Sequence, residues 1–174
     1  MKKIISLIAV TSILLMGLVS CNIETPRSYS GALEIVVTGL PDDVKAVSFW
    51  GTPNEWKLAN IEADKDIYIV EVEGGTATFN FDAYNFSETL WCQFVPMKSK
   101  DMALNDSTWW QTAFSGSSEY SNAENNLVYD FTKGASDGMT LTLDVSMYGD
   151  VSGIFVKRFN TENYQGAFTV DLKQ

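Results

Sequence analysis

The chain has 174 residues, 12 basic against 22 acidic, a formal charge of −10 and no histidine. Without histidine there is no Ser-His-Asp triad, no Cys-His dyad and no His-ligated zinc or haem. The acidic balance argues against a nucleic-acid partner, because nothing offsets repulsion from a phosphate backbone. Hydrophobic residues at 45% and charged residues at 20% give the composition of a globular protein rather than a disordered one.

The first element is a leader. Lys2 and Lys3 form a short basic region, and residues 4–19 are apolar apart from Ser6, Thr11, Ser12 and Gly17. That core is the length of a cleaved signal peptide and short for a membrane span, which needs about 20 predominantly apolar residues. It ends in Leu18-Val19-Ser20-Cys21. This run resembles the bacterial lipobox, in which an aliphatic and a small residue precede an invariant cysteine. The resemblance implies that residues 1–20 are removed and that Cys21 is acylated, anchoring the protein to a membrane through several acyl chains. Loss of Lys2 and Lys3 leaves 10 basic against 22 acidic residues, a net charge of −12. Asn22 follows the cysteine; the sorting rule of this class reads Asp there as an inner-membrane signal, so Asn favours the outer membrane. With Cys21 lipidated, Cys92 has no partner for an intramolecular disulfide. Its setting among Leu90, Trp91 and Phe94 predicts a buried, inert thiol.

Residues 21–31 read as the lipidated cysteine and a short tether, and residues 32–174 as a single domain large enough for a real core. There the pattern has period two. Leu33, Ile35 and Val37 begin it, and Val47 and Phe49 follow within residues 44–50. Tyr68, Val70 and Val72 predict a strand over residues 66–73, and Gly74-Gly75 turns it toward a hairpin partner bearing Ala77, Phe79 and Phe81. Leu90, Cys92 and Phe94 come next. Residues 96–126 show no clear strand. Then come Leu127, Tyr129 and Phe131; Met139, Leu141, Leu143 and Val145; residues 154–157; and Phe168, Val170 and Leu172. No window of ten shows a helical face. Eight to nine short strands broken by turns predict an all-β, antiparallel β-sandwich.

One local pattern is more specific. Residues 44–57 run from a strand through Gly51 and Asn54 to Trp56, and a later strand carries Phe94-Val95. This order resembles the starch- and glycogen-binding modules and related immunoglobulin-like domains of surface polysaccharide-binding lipoproteins. It departs from their pattern at Pro53, where the family has Phe, and in lacking a Trp directly after the later strand. The resemblance implies an immunoglobulin-like sandwich and a glycan ligand. Aromatic rings stack on the C–H faces of a sugar while amides and hydroxyls meet its rim. The candidate contacts are Trp109, Trp110, Gln111 and Tyr120 on the long loop, then Trp56, Asn54 and Lys57 on the first turn. Trp50 and Trp91 are expected on a sheet face.

No pair of carboxylates stands out as a glycosidase pair, so a non-catalytic protein is expected. Asp64-Lys65-Asp66, Asn105-Asp106 and Asp137-Gly138 lack the ordered spacing of a calcium loop and read as solvated turns, so no metal or cofactor is expected. The leading expectation is an envelope lipoprotein that binds a glycan, starch-like polysaccharide favoured. The alternative is an envelope protein-interaction or adhesin lipoprotein, in which the same aromatic loop is a protein-binding patch.

Overall fold

The computed structural model describes residues 30–87, 89–114, 126–148, 151, 154–155 and 168–174. Within them the chain is mostly strands, in two four-stranded sheets with few helices. The strands are β1 (Ser30–Thr38), β2 (Ala46–Gly51), β3 (Ile69–Glu71), β4 (Ala77–Asn85), β5 (Leu90–Met97), β6 (Leu127–Tyr129), β7 (Met139–Asp144) and β8 (Thr169–Asp171). Two short helices, α1 (Leu58–Ala63) and α2 (Lys65–Tyr68), lie between β2 and β3. The first sheet has the order β4-β1-β7-β8 and the second the order β3-β2-β5-β6.

The alternation in β1 and β7 sets the first sheet. Leu33, Ile35 and Val37 are buried, as are Met139, Leu141 and Leu143, because period two points all of them to one face. In β2 all six residues are buried, so both faces of that strand are covered. On its inner face Phe49 packs on Phe79 and Phe81 of the first sheet, with ring centroids 5.7 and 5.4 Å away, and on Phe94 of its own sheet at 5.6 Å. Phe79 also meets Phe94 at 5.6 Å. These tilted and edge-on pairs join the two sheets across one apolar core.

Three strand expectations change. Tyr68 does not begin a strand: the Asp64 carbonyl accepts from Ile67 N and Tyr68 N, closing a helical turn, and the strand starts at Ile69. That turn brings the Tyr68 ring onto Phe49 and Phe81. The Gly74-Gly75 turn is present, with φ of 56° and 76° that glycine tolerates, but it makes only the Glu73–Thr76 bridge. Beyond it β3 and β4 diverge into different sheets, since β3 pairs with β2 and β4 with β1. Finally, β1 and β7 run parallel, with Leu33 opposite Met139 and Val37 opposite Leu143. The chain leaves β4 for the second sheet and re-enters the first one running with β1. Every other strand pair is antiparallel.

Smaller boundaries shift as well. Phe131 lies in a 3-10 turn, capped where Asp130 Oδ1 accepts from Thr132 N at 2.9 Å and from the Thr132 hydroxyl at 2.7 Å. Those two bonds, led by the hydroxyl, lower the Asp130 carboxyl pKa. Val145 begins another 3-10 turn, Val145–Tyr148. Ile154 and Phe155 form a turn, and residues 156–157 lie outside the described residues.

Phe49 touches both sheets, so its truncation tests the core directly. Phe49→Ala is expected to cost about 3–5 kcal/mol, read as a lower urea midpoint at an unchanged m-value.

Candidate functional site

The Gly51–Lys57 turn has a physical logic that its sequence only outlines. Gly51 is extended, at φ 171°, and its need is space: a Cβ there would clash with the Trp91 carbonyl oxygen of β5. A 3-10 turn, Thr52–Asn54, follows. The Thr52 hydroxyl donates to Trp91 O at 3.2 Å and accepts from Trp91 N at 3.0 Å, which fastens the turn to β5.

Asn54 is 1% exposed and holds the turn from inside. Its Oδ1 accepts from Gly51 N at 3.0 Å and from Trp56 N at 3.2 Å, and its Nδ2 donates to Phe49 O at 2.9 Å. The side chain expected to meet a ligand therefore faces the backbone of its own turn. This clamp carries two residues in the left-handed region, Glu55 at φ 54° and Trp56 at φ 60°. Such backbone costs on the order of 1–3 kcal/mol per residue and persists only where its surroundings dictate it.

The strained position delivers the Trp56 indole to Trp109, with centroids 5.9 Å apart and planes within 24°. Trp109 in turn stacks on Trp50 at 4.3 Å and 10°. Trp50 is fully buried, whereas Trp56 and Trp109 are half-buried. The structure thus joins two of the predicted aromatic contacts and adds Trp50, which sequence reasoning had assigned only to a sheet face. Two buried polar atoms on this face of β2, Trp50 Nε1 and Ser48 Oγ, have no hydrogen-bond partner among the described residues. Trp91 is half-buried on β5.

Trp109 is presented by a 3-10 turn, Trp109–Gln111. Asn105 supports it, its carbonyl accepting from Thr108 N and Trp109 N and its Oδ1 from Ser107 N. Gln111 is exposed on this turn, and Trp110 lies between the two. Farther on, Phe114 exchanges both backbone hydrogen bonds with Phe94, which ties the loop to β5. Lys57 is exposed and donates to Glu55, an ion pair that lowers the Glu55 carboxyl pKa chiefly through that hydrogen bond. Tyr120 and Cys21 lie outside the described residues.

The remaining chemistry is local. Cys92 is buried, and burial pushes its thiol well above the ordinary range. Asp137 accepts from Ala32 N at 2.7 Å, and Asp66 pairs with Lys100 at 3.0 Å. No group of three acidic or cysteine side chains among the described residues is placed to hold a metal ion. Compared with protein-family models, curated proteins and solved structures, the chain matches none of them.

The carboxamide clamp makes a clear prediction. Asn54→Ala strands the buried Gly51 N–H and the Phe49 carbonyl and leaves Trp56 N only its bond to Gly51 O, and is expected to cost about 2–4 kcal/mol. Thermal unfolding measures the loss, and a red-shifted tryptophan emission reports release of Trp56 from the stack.

Proposed function

We propose that the protein is a non-catalytic, lipid-anchored envelope protein that binds a glycan, with a starch-like polysaccharide favoured. The observation that carries this reading is the Trp50–Trp109–Trp56 stack. Its two half-buried indoles are large apolar surfaces fixed in place before any ligand arrives, so stacking costs little further entropy. Gln111 beside Trp109 and Lys57 beside Trp56 are exposed donors suited to the hydroxyl rim of a sugar. Asn54 acts in this reading as the support of Trp56 rather than as a contact. Trp110 and Tyr120 stay in the proposed contact set on sequence grounds.

The fold reading is an immunoglobulin-like sandwich. Two four-stranded sheets joined through Phe49, Phe79 and Phe94 support it, as does the Gly51, Asn54, Trp56 turn. The lipobox-like run ending at Cys21 supports export, cleavage and outer-membrane anchoring. The alternative, an envelope protein-binding lipoprotein, would use the same indoles as its anchor residues.

Calorimetry of the full chain against soluble starch, glycogen and β-linked glucans tests the ligand. Trp56→Ala is expected to weaken the preferred glycan about tenfold, the scale of one lost aromatic contact. Absence of binding across the panel, with a Trp56-dependent partner captured by envelope crosslinking, would favour the protein-binding alternative. The anchor has its own test. Cys21→Ser is expected to move the protein from the detergent-rich to the aqueous phase and to abolish fatty-acid labelling; labelling that survives the change sinks the lipoprotein reading.

A further inference from the structure

The three indoles of the corner are not held alike. Trp50 belongs to β2, whose six residues are all buried. Trp56 is fixed by the bond from its N–H to Asn54 Oδ1 and by a left-handed backbone at φ 60°. The fold itself sets both of these rings. Trp109 lies against both of them and is held differently.

Its segment is tied to itself. The Asn105 carbonyl accepts from Thr108 N and Trp109 N, and Asn105 Oδ1 accepts from Ser107 N. The Thr108 and Trp109 carbonyls accept from Gln111 N and Thr112 N. Among the described residues, no hydrogen bond joins residues 105–112 to a strand. Asn105, Asp106, Ser107, Thr108 and Gln111 are exposed, and the Trp109 ring is what packs against the core. The chain is next bonded to β5 at Phe114. Lifting this segment breaks ring contacts and no hydrogen bond to the sheet, which places it among the parts that open most readily.

The space that Trp109 fills suits a sugar. Its plane lies within 10° of Trp50 and 24° of Trp56, and those two rings make no contact with each other. With Trp109 withdrawn, two fixed indoles flank a flat slot. A pyranose ring offers an apolar C–H face on each side and hydroxyls around its rim. The closed arrangement also carries a penalty. Trp50 Nε1 and Ser48 Oγ, on the same face of β2, are buried without a hydrogen-bond partner among the described residues. An unsatisfied buried donor is costly, and a rim hydroxyl would give Trp50 Nε1 an acceptor once the slot opens.

We infer that the slot between Trp50 and Trp56 takes one pyranose ring of the ligand, and that Trp109 is the side chain which that ring displaces. Trp109 is then an internal occupant of the site, and Trp50 is a contact. The inference rests on the glycan reading for its ligand class. Its place rests on which of the three rings the fold fixes. A ligand that binds only the open state has its affinity reduced by the open fraction.

The test uses the full chain in a zwitterionic, sugar-free detergent, with maltoheptaose, cellohexaose, xylohexaose and mannohexaose as probes. Calorimetry gives affinity, and hydrogen exchange follows the peptide covering residues 105–112. Minor states of this kind are populated at about 0.1–10%. Trp109→Ala is therefore expected to bind the preferred oligosaccharide at least about tenfold more tightly than wild type. Ligand should speed exchange in residues 105–112 of the wild type. Weaker or unchanged binding by Trp109→Ala, with slower exchange in the wild type, overturns the displacement and keeps the glycan reading. Binding by the variant alone supports the slot. Wild type and variant that both bind none of the four overturn the glycan reading and the slot with it. If Trp109→Ala does not melt cooperatively, exchange in the wild type decides: speeding supports the displacement, and slowing or no change overturns it.

Discussion

The carboxamide of Asn54 is the interaction on which the tryptophan corner depends. One buried side chain bonds Gly51 N, Trp56 N and Phe49 O, and so fixes the end of β2, the turn and the first residue of the stack relative to one another. Each bond is individually worth on the order of 1 kcal/mol. Together they oppose a left-handed backbone at Glu55 and Trp56 that costs a comparable amount. A bulky residue at positive φ would relax without such a clamp. The strain is thus the counterpart of a geometric demand, namely an indole delivered over a neighbouring strand.

That demand can be met because β2 is covered on both faces. Its inner face carries Phe49 into the aromatic contacts that join the sheets, and its outer face carries Trp50 beneath Trp109. Period two places these neighbours on opposite sides of one strand. The corner is therefore seated on a fully buried strand rather than on a free loop, although Trp109 itself arrives on one. The surface ion pairs add little to the stability of this arrangement. Lys65–Asp101 at 3.5 Å and Lys173–Asp171 at 2.7 Å are solvent-exposed, and pairs of that kind contribute a fraction of a kcal/mol.

Legibility in the sequence followed burial. β1 and β7 were readable because one face of each is buried and the other is half-open, which is what alternation reports. Tyr68, Val70 and Val72 alternate equally well, yet Tyr68 belongs to a helical turn, because its ring is required on Phe49 and local period cannot see that partner. Gly74-Gly75 was readable as a turn, but the sheets joined by its two strands depend on long-range pairing. The parallel β1–β7 pair is invisible for the same reason. At the site, Gly51, Asn54 and Trp56 stood out as a pattern, and the role of Asn54 did not. An amide looks the same in sequence whether it faces solvent or the backbone. Trp50 and Trp109 lie far apart in the chain, so their stacking required the fold.

The turn has one more property that bears on recognition. Pro53 and Trp56 stand one residue before and two residues after Asn54, and they face different surroundings: Pro53 lines a cleft against β4, and Trp56 meets Trp109. The Tyr68 hydroxyl donates to Pro53 O at 3.2 Å, and the Thr52 hydroxyl bonds both backbone groups of Trp91. Both sides of the turn are thus pinned to regular elements. Under the proposed reading, a ligand at Trp56 meets a surface ordered in advance, and its binding energy is not spent on ordering a loop. An acidic protein without histidine has few strong point interactions to offer a neutral polymer. Preorganised aromatic faces and amides are what remain, and they are cheapest to use where a clamp such as Asn54 has already fixed them.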